Sequence, residues 1–139
     1  MSGFLVDTNV LSELRKGRRA NANVQAWFAR TPGSVLWTSV LVVGEIRKGI
    51  EAIRRRDAAT ATALDQWLER VMAAHSGRIL PIDTDVAIAW GRLSSRGAVP
   101  VIDGLLAATA ATRGLVLVTR NVRDLAKTGV PHLDPFAAR

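Results

Sequence analysis

The chain has no cysteine among its 139 residues. Disulfide bonds and thiolate metal sites are therefore excluded, and a reducing compartment is the natural setting. Histidine is nearly as scarce, because only His75 and His132 are available and their spacing does not suit a shared zinc ion. No apolar run approaches the roughly 20 residues of a membrane span, and the N-terminus lacks the features of a signal peptide. We expect a cytoplasmic protein with no membrane segment.

Motifs for several common chemistries are also missing. The sequence has no glycine-rich phosphate loop, no Gly-x-Ser-x-Gly nucleophile elbow and no histidine placed for a catalytic triad. Positive charge, in contrast, is in surplus: 19 lysines and arginines against 12 acidic residues give a formal net charge of +7. That surplus favours a polyanionic partner, either nucleic acid or an acidic protein segment.

The order of elements predicts an α/β fold in one domain spanning 1–139, since 48% of the residues are hydrophobic. Apolar strands alternate with amphipathic helices, and the strands are apolar on both faces, so we expect a three-layer α/β/α domain with a mostly parallel central sheet. Strands are predicted at 4–6, 35–37, 79–82, 115–119 and, as a short edge, 132–133. Helices are predicted after Asp7 and near 24–28, 40–56, 57–77, 86–93 and 103–112.

Acidic residues recur where the predicted strands end. Asp7 closes the first strand, Asp83 closes the third, and Asn121 and Asp124 follow the fourth. In open α/β sheets, ligands bind beyond the carboxyl ends of the strands. Carboxylates gathered there in a basic protein predict a metal site that acts on phosphates, and the hard oxygen ligands favour Mg²⁺ or Mn²⁺. Two such ions roughly 3.5–4 Å apart can activate water for phosphodiester hydrolysis.

Some of these acids also have ordinary structural explanations. Asp7 precedes a helix and can serve as its N-cap, and Asp103 has the same explanation because it begins a predicted helix. Asp83 and Asp85 are better explained as helix caps than as ligands. Asp124 could form a surface ion pair, and Asn121 could be a turn former.

Glu45 is harder to explain as a structural residue. It lies in the apolar segment 40–46, which predicts a carboxylate projecting from a buried face. An isolated buried charge is very costly. Arg47 is two positions away and on another face of the helix, so a bound cation is the better partner. Gly44 would allow another segment to approach closely.

Taken together, the sequence resembles a PIN-domain ribonuclease of the VapC toxin type, found in bacterial toxin–antitoxin systems, and within that family the FitB-like branch. The resemblance extends over essentially the whole chain. The matching segments are 4–13, 43–50, 103–110, 118–124 and 129–136.

The resemblance implies Mg²⁺- or Mn²⁺-dependent endonucleolytic cleavage of RNA, restrained by a cognate antitoxin. Asp7, Glu45 and Asp103 match the three central acidic positions of the family. The fourth position is ambiguous, because some relatives have an aspartate where this chain has Asn121, and the next acid is Asp124. We expect Asp124 to substitute at least in part and a second metal ion to be held weakly.

The resemblance also implies supporting roles for neighbouring residues. Thr8 and Asn9 would orient Asp7, and Thr119 would contribute a hydroxyl near the site. The family commonly forms homodimers, and the helices between residues 21 and 56 would supply a groove for the antitoxin. Phosphate or antitoxin contacts are expected from Arg15, Arg120 and Arg123, whereas the arginines at 54–56 fit a solvated helix end at least as well.

Three other functions compete with RNA cleavage. A phosphatase with an aspartyl-phosphate intermediate requires a second acid two residues after Asp7, where this chain has Asn9. A non-catalytic binding or regulatory protein with a vestigial acidic cluster would cut nothing. A metal-dependent DNA nuclease is the third option, because selection for RNA depends on contacts to the 2′-hydroxyl group, which the sequence does not locate.

Overall fold

The computed structural model describes residues 2–138. Within that range, five parallel strands form one sheet in the order β3-β2-β1-β4-β5. The strands are β1 (Phe4–Val6), β2 (Leu36–Ser39), β3 (Ile79–Leu80), β4 (Val116–Val118) and β5 (His132–Leu133). The helices are α1 (Thr8–Leu14), α2 (Ala22–Ala29), α3 (Val40–Arg54), α4 (Ala58–Ala74), α5 (Thr84–Ser94), α6 (Val101–Arg113) and α7 (Val122–Ala126).

The helices cover both faces of the sheet, as predicted. Helix α1 contacts α2 and α3, and α3 packs on α4, so these four helices form one layer. Helix α6 packs on α5 and α7, which form the other layer. The division agrees with the usual right-handed crossover of parallel strands, since the strand order reverses direction after β3. In residues 2–138, no helix is both long enough and apolar enough to cross a membrane.

Strand β1 lies in the middle of the sheet, and its position determines where the ends of the other strands meet. Leu5 and Val6 are fully buried, and Val6 is paired in register with Val118 of β4. The next residue continues the ladder, because the backbone N–H of Asp7 donates to the Val118 carbonyl at 3.0 Å. Strands β1 and β4 are connected in opposite directions, so their carboxyl ends flank the switch point of the topology, where ligands bind in such sheets.

Several predicted boundaries need correction. Helix α3 ends at Arg54 instead of residue 56, and β3 covers two residues instead of four. Helix α6 begins at Val101, so Asp103 lies within its first turn and does not cap it. The prediction that both Asp83 and Asp85 are caps was half wrong, because Asp83 caps α5 and Asp85 lies in its first turn. Helix α7 was not predicted.

Helices α5 and α6 approach closely at a glycine. Gly104 is buried, and a Cβ atom added there would lie 3.2 Å from both Cδ1 and Nε1 of Trp90. A second contact fixes the same pair of helices, because Arg113 of α6 donates to the carboxylate of Asp83. Asp103, which lies one residue before Gly104, is therefore held on a tightly packed helix.

We predict different effects for two glycine-to-alanine substitutions in this helix pair. Gly104→Ala should leave the free energy of unfolding about 1–3 kcal/mol below that of Gly91→Ala, because both substitutions gain helix propensity but only the first displaces the indole of Trp90. Gly91→Ala, on an exposed part of α5 with nothing within 4 Å, should raise it by roughly 0.5–1 kcal/mol through helix propensity. Urea denaturation of both variants measures the difference. Equal shifts would contradict the close packing at Gly104.

Candidate active site

The carboxylate of Asp7 is at the centre of the site. The side chain is only 4% exposed and takes the N-cap position of α1, where Oδ1 accepts the backbone N–H of Thr8 at 2.6 Å. The ordinary explanation of Asp7 as a helix cap is therefore correct for one of its oxygens. The other oxygen, Oδ2, accepts the hydroxyl of Thr119 at 2.7 Å and an amide N–H of Asn9 at 3.4 Å.

Thr119 connects both sides of the switch point. Its side chain is fully buried, and its Oγ1 donates to Asp7 while accepting the amide of Asn9 at 3.3 Å and the backbone N–H of Asn121 at 3.1 Å. Asn9 in turn accepts the backbone N–H of Arg120 at 3.2 Å through Oδ1. Thr8, Asn9 and Thr119, the residues expected to support Asp7, thus make contact with it or with one another.

Glu45 lies beside this cluster but not on a buried face. The prediction of a buried carboxylate was wrong, because Glu45 is exposed on α3 and a Cβ atom added at Gly44 would meet nothing within 4 Å. The apolar side of α3 is formed instead by Val42 and Ile46. The Glu45 carboxylate is nevertheless anchored, since the hydroxyl of Thr8 donates to Oε1 at 2.7 Å. Glu45 therefore lies next to α1 as an exposed carboxylate with one hydrogen-bond partner there.

Asp103 reaches the site from α6 on the opposite side of the sheet. The side chain is half-buried, and Oδ1 accepts a long contact from the Asn121 amide at 3.5 Å. Burial raises the pKa of Asp103, and the negative charges of Asp124 and Glu45 raise it further, while the Asn121 contact lowers it. The negative charges of two other elements, α3 and α7, are therefore close enough to raise the pKa of Asp103.

The fourth acidic position remains divided between two residues. Asp124 lies in the first turn of α7, and its Oδ1 is 3.9 Å from Nζ of Lys127. This is a long surface ion pair, as the structural explanation of Asp124 predicted. Asn121 takes the N-cap position of α7 without capping it, and its amide is directed to Asp103 instead. Asn121 is thus connected to the cluster by a hydrogen bond, and Asp124 by its charge.

The pKa of Asp7 is raised above its ordinary value of 3.8, mainly because burial penalises the charged form. The hydrogen bonds from Thr119 and Thr8 oppose that shift, whereas the charges of Asp103 and Glu45 reinforce it. The two hydrogen bonds stabilise the ionised form of Asp7, whereas burial and the two neighbouring acids disfavour it. A positive ion nearby would relieve this conflict.

The donor set suits a hard divalent cation, although the carboxylates are not already gathered around one point. Within residues 2–138, no three acidic or histidine side chains lie close enough together to form a ready metal cluster. The oxygens of Asp7, Glu45 and Asp103 are nevertheless of the type that Mg²⁺ and Mn²⁺ prefer, and their mutual repulsion keeps them apart in the absence of a cation. Side-chain movements would be needed for all three to ligate one ion.

The basic residues expected to contact a ligand all lie on the surface. Arg15 is exposed beside a groove, with its guanidinium carbon 6.0 Å from the ring centroid of Trp67. Arg120 and Arg123 are exposed beyond the carboxyl end of β4, Arg120 before α7 and Arg123 within it. Arg54 is engaged elsewhere, because its guanidinium bonds to the carboxylates of Glu51 and Asp65.

A groove runs from the acidic cluster along α1, α3 and α4. Its first part is a cavity of about 250 Å³ whose wall includes Thr8, Arg15, Glu45 and Trp67. Trp67 also lines a second cavity of about 310 Å³, which extends to His75. The sequence indicated Trp67 as a core residue, and spacing alone could not reveal that this half-buried indole separates two surface cavities.

Comparison with known proteins agrees with the sequence-based resemblance. The PIN domain family model matches residues 4–130. A VapC ribonuclease of Sinorhizobium fredii is 31% identical over an alignment covering 96% of this chain and 97% of the relative. Toxin FitB of Neisseria gonorrhoeae is 28% identical, with 96% and 98% coverage.

Two solved structures are similar along nearly their whole length. The crystal structure of FitAcB from Neisseria gonorrhoeae superposes with a TM-score of 0.89 at 28% identity, covering 97% of this chain and 99% of the other. A toxin–antitoxin complex from Klebsiella pneumoniae superposes with a TM-score of 0.69 at 27% identity, covering 98% of this chain and 100% of the other. The three-layer fold is therefore common to these proteins.

The raised pKa of Asp7 leads to a prediction about stability in metal-free buffer. A folded-state pKa above the unfolded value means that the folded protein binds more protons, so the contribution of Asp7 to stability falls as pH rises from about 3.8. The free energy of unfolding of the wild type, relative to that of Asp7→Asn, should therefore decrease between pH 4 and pH 7. Urea titrations with chelator measure this difference. Parallel pH profiles for the two proteins would contradict the shift.

The hydroxyl of Thr119 should lower the pKa of Asp7, because it donates to the ionised carboxylate. Thr119→Val should consequently raise the Asp7 pKa further, as measured by ¹³C NMR titration of the side-chain carboxyl. The matched control is Thr109→Val, which removes another buried hydroxyl whose partner is the Leu105 carbonyl. An unchanged Asp7 pKa in Thr119→Val, or an equal rise in Thr109→Val, would contradict the assigned role.

Proposed function

This chain belongs to the PIN domain family, and from that premise we propose that it is the ribonuclease toxin of a toxin–antitoxin pair. The proposed reaction is endonucleolytic hydrolysis of RNA phosphodiester bonds, dependent on Mg²⁺ or Mn²⁺ and stopped by a cognate antitoxin. Its place of action would be the cytoplasm, where the RNA is. The names of the relatives support the nuclease and the toxin, and the site geometry supports the metal.

The observation that carries the proposal is the buried carboxylate of Asp7, with two further acids around it. Asp7 is ionised at neutral pH only at an energetic cost, and Asp103 and Glu45 increase that cost. Asp7, Glu45 and Asp103 would hold the cation, with Asp124 or Asn121 at the fourth position. When bound, the ion would supply an activated water and neutralise charge on the phosphate.

The residues around Asp7 would act by orienting it. The hydroxyl of Thr119 and the backbone N–H of Thr8 bond to different oxygens of the Asp7 carboxylate and so fix its plane. The hydroxyl of Thr8 holds Glu45 at the same edge. Outer partners of this kind commonly change metal affinity or activity by about 10–100-fold when they are removed.

The groove next to Glu45 is the proposed antitoxin site. It is largely apolar, with Ile46, Ile50 and Leu64 in its wall, and it ends at the acidic cluster. An apolar peptide segment carrying a basic side chain at that end would therefore match it. The groove was expected between residues 21 and 56; α3 supplies one wall within that range, and α1 and α4 supply the others.

Self-association into a homodimer is also proposed. Val40, Ile88 and Val101 are large apolar side chains that remain 43%, 49% and 59% exposed. Val40 and Val101 lie at the first residues of α3 and α6, the helices that carry Glu45 and Asp103. Burial of this region between two copies would bring two acidic sites near each other.

The test of the proposed function is cleavage of defined RNA and DNA oligonucleotides by purified, antitoxin-free protein with Mn²⁺. Wild type should cut RNA, and Asp7→Asn should lose at least about 100-fold in rate, because a ligand should matter at least as much as an outer partner. Asp85→Asn, which removes an exposed acid from α5, is the matched control and should cut normally.

The same assay separates the alternatives. Cleavage of DNA in preference to RNA would identify a DNA nuclease. No cleavage of RNA or DNA by wild type with Mn²⁺, together with normal growth on expression, would identify a non-catalytic binding protein. Equal cleavage by wild type and Asp7→Asn would indicate another site or a contaminant.

A further inference from the structure

The main chain of Arg120 is fixed directly beside the candidate active site. Arg120 follows Thr119, and its backbone N–H donates to Oδ1 of Asn9 at 3.2 Å. Asn9 in turn contacts Asp7 and Thr119 through its amide nitrogen. The position of Arg120 is thus determined by the same hydrogen bonds that orient the central carboxylate.

The side chain of Arg120 is fixed as well, although it is exposed. Its guanidinium carbon lies 4.4 Å from the ring centroid of Phe136, a cation–π distance. Phe136 is anchored at both backbone groups, because its N–H donates to Asp134 at 2.9 Å and its carbonyl accepts the amide of Asn23 at 2.8 Å. The C-terminal segment therefore provides a fixed aromatic surface next to the carboxyl end of β4, where Thr119 and Arg120 lie.

The charge of Arg120 is not consumed by an ion pair. Among residues 2–138, no carboxylate lies within 4.0 Å of its guanidinium, whereas Arg47 and Arg54 are both paired with Glu51 and Asp65. Glu13 is close enough for Arg120 to contribute slightly to the lowering of its pKa, but Lys16 and the backbone N–H of Asn21 are its hydrogen-bond partners. A planar cation stacked on one face keeps its N–H edge available for an anion.

We propose that Arg120 binds a backbone phosphate of the RNA beside the scissile bond, and that Phe136 holds the guanidinium in the orientation that this contact requires. The inference rests on the proposed ribonuclease function. A phosphate is favoured over other anions because the adjacent acids are assigned to the scissile phosphodiester, and a single strand presents further phosphates on either side. A stacked guanidinium suits such an oxygen-rich group through its parallel N–H donors.

The experiment measures steady-state cleavage of a single-stranded RNA by wild type, Arg120→Ala and Arg120→Lys. Arg120→Ala should raise KM about tenfold, with a smaller change in kcat. This factor corresponds to the lower end of the free-energy range for a hydrogen bond to a charged group. The dependence of log(kcat/KM) on log salt concentration should become shallower by about 0.7, as expected for one lost phosphate contact on a single strand. Arg120→Lys should fall between the two because it keeps the charge but loses the planar fork.

Arg92→Ala is the matched control, since it removes an exposed arginine from α5 and lowers the net charge equally. It should keep the KM and the salt dependence of wild type. If both alanine variants behave alike, the effect belongs to overall charge, and the assignment of Arg120 is overturned. Circular dichroism and thermal unfolding of each variant exclude loss of fold as the cause.

The role of Phe136 is tested by a double-mutant cycle with Phe136→Leu. Loss of the stack should raise KM about two- to fivefold when Arg120 is present, which corresponds to an exposed cation–π contact. In the Arg120→Ala background, Phe136→Leu should have no further effect on KM. Additive effects of the two substitutions would mean that Phe136 acts only on the fold, and this part of the inference would fail.

Binding measured without cleavage separates this inference from the proposed function. Fluorescence anisotropy of labelled RNA with Asp103→Asn, with and without Arg120→Ala, reports the phosphate contact even if the protein cuts nothing. Weaker binding in the double variant supports the inference.

Unchanged RNA binding, combined with weaker binding of the antitoxin by Arg120→Ala, would assign Arg120 to the protein partner and overturn the inference. Cleavage by wild type with no change in Arg120→Ala would overturn it as well, while leaving the proposed ribonuclease intact.

Discussion

The buried, ionisable carboxylate of Asp7 is the constraint on which the site depends. An unpaired charge on a nearly fully buried side chain is costly. Hydrogen bonds from the Thr119 hydroxyl and the Thr8 backbone N–H offset part of that cost. Asp103 and Glu45 then add negative charge close by. These neighbours make the ionised form of Asp7 unfavourable, and a divalent cation bound by the same carboxylates would offset their repulsion.

The parallel sheet produces this arrangement through its register. Pairing of Val6 with Val118 brings the residues that follow, Asp7 and Thr119, to the same edge. Because α1 starts directly after Asp7, the carboxylate also lies at a helix N-terminus, where partial positive charge favours its ionised form. Asp103 arrives from the opposite helical layer and Glu45 from the layer of α1, so the acids converge on the switch point from both faces of the sheet.

Strand ends and helix starts were the parts of the site most accessible from the sequence. The place of Asp7 follows from an apolar run that ends in a carboxylate, and the parallel topology makes such ends meet, whereas the supporting hydroxyl of Thr119 was implied by the family resemblance. The exposure of Glu45 was not predictable from its apolar neighbours, because helix rotation against α1 decides which side faces the core. Helix α7 was missed since five residues carry no periodicity, and the contact between Arg120 and Phe136 joins segments with no shared pattern.

Anomalous X-ray diffraction from crystals grown with Mn²⁺ would show where a divalent cation binds. We expect a manganese peak at the carboxyl ends of β1 and β4, within about 2.0–2.3 Å of oxygens from Asp7 and at least one of Glu45 and Asp103. The peak should disappear in crystals of Asp7→Asn. A peak elsewhere on the protein, or the same peak in both crystals, would contradict the claim that the carboxylate of Asp7 is where the cation binds.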